Sequence, residues 1–563
     1  MALDVEAMKA KRSELYPSSL SLSYSNTKPL TVLRGYGCYL QSQSGSADPE
    51  ITTYLDSRNN VPSLGHCHPA IHAAVEHQLD PSSALSCGFA INTNSRYMHP
   101  YPMMLCDKLQ ASMPPPSTSL WAPETVTTVT PPSPLPPPPS GSPWRVFLLN
   151  SGSESTDLAL RLCETYHRIR RLSLLRAYQG DEVRRSEAGR VALAKARDEE
   201  HYVVTFSTSY HGHTDGAIRV SPYKLRKLAD PESSMAKEVN VEGNVRWIRA
   251  PKLYSPDPSS EVGSAEFHLQ AFRELLQTIP LSPSLSSFAR EGCPPLCNLT
   301  LIYEVGASVG GVLPPPLGYL QSISRLVRSV GGLIVFDEVQ SGMGRTGAPG
   351  GRLWSHLHPV FGGFDPSSPV DSAAVVPDVL CAGKPLGNGL PLATCICRRE
   401  VAEAFASTKV EYFNTFGGNP VCAAAGLAVL ETLAKEGLVE NSRVQGERML
   451  EMLEGVKGRW RNVVGDVRGA GLFIGIELID PFGSQSTPRS WSIGTSAICS
   501  IMKDCYRILT TIDGEDDNVI VFKPPLCWGS LEGEYFCWAF EECIAATVKR
   551  GKDGVESIGK TPT

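Results

Sequence analysis

The chain has 563 residues, 42% hydrophobic and 20% charged, with 52 Lys and Arg against 58 Asp and Glu and a formal net charge of −6. That is the balance of a water-soluble globular protein, long enough for a large core and more than one domain. It offers no polybasic footprint for nucleic acid or an anionic bilayer, and no apolar run approaches a membrane-spanning length, so neither partner is expected.

The opening stretch "MALDVEAMKAKRSELYPSS" carries acids and lacks an apolar core, so it reads as neither a secretory nor a clear transit peptide. The final "KTPT" does not read as a peroxisomal or ER address signal. The 16 cysteines are irregularly spaced, and the closest pairs, Cys293/Cys297 and Cys395/Cys397, belong to no four-ligand zinc pattern. Unpaired cysteines fit a reducing compartment, which makes the sequon at Asn298 a chance match. The expected location is cytoplasmic, with a mitochondrial one left open. "GHCHP" (65–69) has two histidines two apart without a partner pair nearby, so no metal site is expected.

Three segments read as insertions. Residues 111–143 are too rich in proline to pack and read as a solvated surface excursion. Residues 170–200, rich in Arg, Glu and Ala, read as an exposed extension of the preceding helix. Residues 280–298 read as a further loop. Between them lie near-continuous apolar runs: "WRVFLLN", "HYVVTF", "LTLIYEV", "GGLIVFDEV" and "PDVLCAG". Helical patterns at 154–169, 317–330 and 419–435 alternate with these runs, which predicts an α/β fold with a mainly parallel sheet covered on both faces. Past about residue 440, "GLFIGIEL" and "NVIVFKPPL" alternate with helices and predict a smaller α+β domain.

The strands end at chemically useful residues, and α/β sheets bind ligands at the carboxyl ends of their strands. "WRVFLLN" runs into "SGSES", a Gly/Ser loop opening a helix, whose free N–H groups at Gly152 and Ser153 suit a phosphate. "HYVVTF" delivers Tyr210 and His211, and "GGLIVF" ends at Asp337. "PDVLCAG" ends at Lys384, which lies among small and apolar neighbours in "CAGKPLGNGLP". Poor solvation lowers an amine pKa and makes the lysine a nucleophile toward an aldehyde. A Schiff-base lysine, a carboxylate for a ring nitrogen, an aromatic for a ring face and a phosphate cradle are together the requirements of pyridoxal 5′-phosphate.

With "LIVFDEVQSGMGRTG" (333–347) and "FNTFGGNP" (413–420), the chain resembles the class-III pyridoxal-phosphate aminotransferases over roughly residues 30–550. "YLDSRNNVPSLGHCHPAI", "INTNSRYMH", "YHGHTDGAIRVSPYK" and "FKPPLC" look like its alanine–glyoxylate aminotransferase 2-like branch, which includes ethanolamine-phosphate phospho-lyases. The resemblance implies fold type I, with a large domain over 76–435. The smaller domain would join residues 1–75 to 436–563. It also implies a homodimer with sites at the subunit interface. Lys384 would hold the cofactor and shuttle the substrate proton, and Asp337 would pair with the ring nitrogen. Gln340 would lie near the ring hydroxyl, Tyr210 would stack on the ring, and His211 would complete the cofactor site. Thr415 would reach the phosphate of the neighbouring subunit's cofactor. Arg468 would grip a substrate carboxylate, and Glu304 would face the substrate. One departure stands out: "YEVGASVGG" (303–311) lacks the Glu-Pro and Gln-Gly-Glu pattern of many members.

The implied reaction is amino transfer from a small amine or amino acid to a keto acid or aldehyde. The alternative is elimination of phosphate and ammonia from an O-phosphorylated amine. A non-catalytic interaction protein is the remote third reading.

Overall fold

The computed structural model describes residues 5–17, 20, 23–24, 29–44, 50–86, 97–116, 141–178, 186–223, 239–251, 265–286, 296–367, 374–484 and 488–551. The N-terminal strands are β1 (Thr31–Tyr36), β2 (Tyr39–Ser44) and β3 (Glu50–Asp56). Eight strands follow: β4 (Trp144–Leu149), β5 (Tyr202–Phe206), β6 (Val239–Glu242), β7 (Val245–Ile248), β8 (Leu299–Glu304), β9 (Leu333–Asp337), β10 (Val379–Ala382) and β11 (Ala393–Arg398). The last five are β12 (Val464–Ala470), β13 (Phe473–Leu478), β14 (Ile508–Leu509), β15 (Ile512–Asp513) and β16 (Val519–Phe522).

The eight central strands form one sheet in the order β4-β11-β10-β9-β8-β5-β7-β6. Strands β10, β9, β8, β5 and β7 are mutually parallel. Strand β11 runs antiparallel to both β10 and β4, so β4 points with the parallel set, and β6 opposes β7 at the far edge. Every residue of β8, β9, β10 and β11 is buried, which is why these segments read as unbroken apolar runs rather than alternating ones. The register brings the strand ends level: Asp337 lies opposite Glu304 on one side and Cys381 on the other.

The expected helices are present as Gly152–Tyr178, Tyr319–Ser329 and Pro420–Lys435. The last begins where Pro420 follows Asn419, whose side chain accepts from the Cys422 N–H at 2.9 Å. A polar cap followed by Pro at the first helical position is a strong helix start.

The expectation of an exposed 170–200 segment needs correction. The first helix runs on to Tyr178, and a second helix, Glu187–Arg197, folds back on it. Leu174, Leu175, Ala196 and Leu296 are buried there in a small core of their own, and Arg171 Nε donates to the Ala196 carbonyl at 2.5 Å. Alternating charges disguise an apolar stripe that the second helix covers. The centre of the proline-rich segment, 117–140, and residues 287–295 of the third insertion lie outside the described residues.

Two smaller four-stranded sheets flank the central one, in the orders β1-β2-β3-β14 and β12-β13-β16-β15. Strand β14, from the C-terminal part, pairs in parallel with β3 and so joins the two chain ends in one sheet. The expected boundary at residue 75 falls inside the helix Pro69–Leu79, which packs on the helix Pro420–Lys435.

At the end of the strands opposite the catalytic-looking residues, buried Asp378, just before β10, holds three partners. It accepts from Arg328 Nη1 at 2.7 Å and from the Ile334 N–H at 2.8 Å, and it pairs with Arg398 Nε at 3.1 Å. Removing one member of a buried ion cluster leaves uncompensated charge, at a cost of roughly 3–5 kcal/mol. Asp378→Asn is therefore expected to lower the urea unfolding midpoint by a stability loss of about that size; an unchanged midpoint would show that the arginines find other partners.

Candidate active site

The strand ends converge on one cavity of about 350 Å³. Gly152 and Ser153, Tyr210 and His211, Asp337 and Gln340, and Lys384 all line it, brought together from four strands. Asp337 is buried. Its Oδ2 lies 2.7 Å from His211 Nδ1, and its Oδ1 accepts from the Val339 N–H at 2.9 Å. The other His211 nitrogen, Nε2, faces Thr205 Oγ1 at 3.4 Å. A buried carboxylate with donors on both oxygens is well placed to present its charge to a ring above it.

Lys384 follows Gly383 at the end of β10 and has φ 23°, a left-handed value that side chains rarely adopt. The turn is pinned from outside. Ser63 Oγ donates to the Pro385 carbonyl at 3.1 Å, and Asn388 Oδ1 accepts from the Leu64 N–H at 2.9 Å. Desolvation lowers the Lys384 amine to about 8, helped by the Lys523 charge and opposed by Asp337, Glu304 and Asp513.

Glu304 is buried behind the cavity. Its Oε2 accepts from the Tyr210 N–H at 2.9 Å and its Oε1 from the Ser308 N–H at 3.0 Å. Burial first, and then the Asp337 charge, raises its carboxyl to about 7. Both its oxygens hold backbone, so Glu304 positions Tyr210 rather than facing a substrate. Gln340 Oε1 accepts from Asn60 Nδ2 at 2.7 Å, which ties the Asp337 loop to the N-terminal segment.

Two expected site residues, Arg468 and Thr415, do not line this cavity, and Thr415 is expected at the neighbouring subunit's cofactor. Arg468 donates from Nε to the Val312 carbonyl at 2.8 Å and from Nη2 to the Gly311 carbonyl at 2.9 Å. Its Nη1 meets Asp466 Oδ2 at 3.0 Å and Glu477 Oε2 at 2.7 Å. The guanidinium is committed to locking the unusual "YEVGASVGG" turn, and the cavity is lined without it. Thr415 is solvent-exposed and also absent from the lining. Its neighbour Asn414 accepts from Asn150 Nδ2 at 2.9 Å beside the phosphate-cradle loop. The "GHCHP" histidines have structural partners: His66 Nε2 lies 2.9 Å from Asp56, and His68 caps the helix Pro69–Leu79.

The family model for class-III aminotransferases matches residues 22–246 and 299–544. The chain belongs to the class-III aminotransferases. Its relatives in this family include an "alanine–glyoxylate aminotransferase 2-like" protein of Drosophila melanogaster, 30% identical across 92% of this chain and 83% of the relative. An "ethanolamine-phosphate phospho-lyase homolog 1" of Caenorhabditis elegans is 27% identical across 93% and 90%. A solved phospholyase from Arthrobacter, in complex with phosphoethanolamine, superposes with a TM-score of 0.67 at 25% identity, covering 96% of this chain and 99% of that one.

Class-III aminotransferases are enzymes of pyridoxal phosphate, and the residues here fit it. The helix start at Gly152 approaches Val339 so closely that a Cβ on Gly152 would sit 2.7 Å from Val339 Cγ1. The cradle therefore needs glycine. Val339 and Tyr210 supply apolar and aromatic lining, Asp337 a buried acid, and Lys384 an amine of lowered pKa. Sequence reasoning missed Val339, two residues past Asp337, because one valine after an apolar strand carries no signal of its own. It also missed Asn150, Val61 and the 389–392 turn, which only the tertiary arrangement brings to the cavity.

An ordinary lysine reacts with aldehydes mainly above its usual pKa near 10.4. Lys384 is deprotonated above about 8. The rate at which cofactor-free protein captures pyridoxal phosphate is expected to rise with pH around a midpoint near 8. Asp337→Asn removes a charge that favours the ammonium, so the midpoint should move to lower pH. A midpoint near that of free lysine would contradict the desolvated amine.

Proposed function

We propose that the protein transfers an amino group from a small primary amine or amino acid to a keto acid or aldehyde. The observation that carries this reading is Lys384. Its amine is titratable near neutrality and lies with Asp337, Tyr210 and the Gly152–Ser153 helix start on one cavity. Pyridoxal phosphate supplies an aldehyde for amine exchange and a ring that accepts the electron pair left at the amine-bearing carbon. Lys384 anchors the cofactor through its Nζ. When not holding the cofactor, the same Nζ would take and return the proton of the substrate carbon. Asp337 keeps a proton on the ring nitrogen, and His211 and the Val339 N–H hold Asp337 in place. The helix start binds phosphate through its N–H groups.

Elimination from an O-phosphorylated amine is the second reading. Arg468, the expected carboxylate grip, is already committed to protein acceptors, while two other cations lie beside Gln340. In that reaction the substrate carbon loses its proton, the adjacent C–O bond breaks to release phosphate, and hydrolysis yields an aldehyde and ammonia. Incubation with alanine and glyoxylate, and separately with ethanolamine phosphate, distinguishes the two. Amino transfer predicts a keto acid from alanine that requires an acceptor. Phosphate and ammonia released in equal amounts without an acceptor would replace it with elimination.

We also propose a cytoplasmic homodimer. Cysteines left unpaired in the described residues support a reducing compartment. Exposed Thr415 is flanked by exposed Phe413 and by Phe416, which is 69% exposed, and a second subunit would cover these rings. On this reading Thr415 serves the partner's cofactor, so each site draws on both chains. Mixed dimers of Lys384→Ala and Thr415→Ala subunits should then contain one complete site. They are expected to regain activity at limiting cofactor that neither parent shows. No recovery in the mixed dimers would place Thr415 in its own chain's site or outside both.

A further inference from the structure

A second cavity, of about 530 Å³, shares Gln340 with the first. Arg58, between β3 and Asn60, lines it together with Lys523, which follows β16. The two cations come from opposite ends of the chain and line one cavity, where β14 joins the C-terminal part to β3. Among the described residues, the Arg58 guanidinium makes no hydrogen bond or ion pair. Lys523 Nζ donates to Ser308 Oγ at 3.1 Å and lies 3.5 Å from Asp513 Oδ2. Asp56, also on the wall, is already engaged by His66 and by the N–H groups of Arg58 and Asn59.

The local charges therefore leave a guanidinium fork free and an ammonium shared with one acid. Lys523 acts on Lys384 through its charge, so one of the two cations stands within electrostatic reach of the reacting amine. A planar fork beside a point charge matches a phosphate monoester, which presents several oxygens and close to two negative charges. A carboxylate, with one charge and two oxygens, balances the two cations less fully.

We propose that Arg58 and Lys523 form the subsite for the phosphate of a phosphorylated primary amine, entering past Gln340 with its amine toward Lys384. This rests on the amine chemistry proposed for Lys384 and holds whether phosphate is then retained or expelled. Neither residue belongs to the cofactor cradle, since the first cavity is lined by neither.

The test compares kcat/KM for ethanolamine phosphate with kcat/KM for ethanolamine in the cofactor-loaded enzyme. Loss of a hydrogen bond to a charged group weakens binding about ten- to a hundredfold, so Arg58→Met and Lys523→Met should each lower that ratio by about this factor. Arg58→Lys, which keeps the charge but loses the fork, should fall between Arg58→Met and the parent. A readout free of any variant is protection of Arg58 from phenylglyoxal, followed by mass spectrometry of the loaded enzyme. Inorganic phosphate should protect it and acetate at equal concentration should not. An unchanged ratio in both methionine variants overturns the subsite, as does equal protection by acetate. A loaded enzyme that turns over no primary amine at all overturns the amine reading itself, and the subsite with it.

Discussion

The Asp337 carboxylate is the charge around which the site is arranged. It sits at the end of a fully buried strand, level with Glu304 and Cys381 on its neighbours, and is held by His211 and the Val339 N–H. Its negative charge acts on three other groups. It opposes the loss of the Lys384 proton, and it adds to burial in raising the Glu304 carboxyl and, after burial and Glu304, the Tyr210 phenol. Water would screen such coupling, but Asp337 is buried, so one carboxylate affects several neighbours at once. The surrounding structure serves to keep that charge buried and directed.

The same burial explains which parts of the molecule were legible in the sequence. Strands β8, β9 and β10 are covered on both faces, so their apolar runs announced themselves, and the polar residues ending them stood out by contrast. Asp337 and Lys384 were readable for that reason. The glycine at 152 was readable as a loop opening a helix, although the need for it comes from Val339 in the turn after β9. The antiparallel insertion of β11 between β4 and β10 was not readable, because strand direction leaves no mark on composition. Nor was the buried core under residues 174–196, where charged neighbours mask a short apolar stripe.

Arg468 and the Arg58–Lys523 pair show the limit more sharply. A guanidinium in a familiar motif invites a ligand, yet its role depends on which acceptors the fold places near it. Here two turn carbonyls and two carboxylates surround Arg468, and they come from residues as far as 157 positions away. Arg58 sat inside a quoted motif without being singled out, because nothing in its local sequence indicates that its guanidinium is left free. Long-range pairing of the chain ends through β3 and β14 sets both outcomes. The "YEVGASVGG" turn, Arg468 and the two cations are parts of one arrangement, in which the motif arginine stabilises the turn and cations from the chain ends line the cavity.

The central claim is that one lysine, Lys384, carries the chemistry. Borohydride reduction of the cofactor-loaded enzyme, followed by peptide mapping, tests it most directly. Lys523 provides a demanding control, since its charge acts on Lys384 from the adjoining cavity. The account predicts a single modified peptide, with the cofactor on Lys384. Cofactor fixed on Lys523, or spread over several surface lysines, would contradict it.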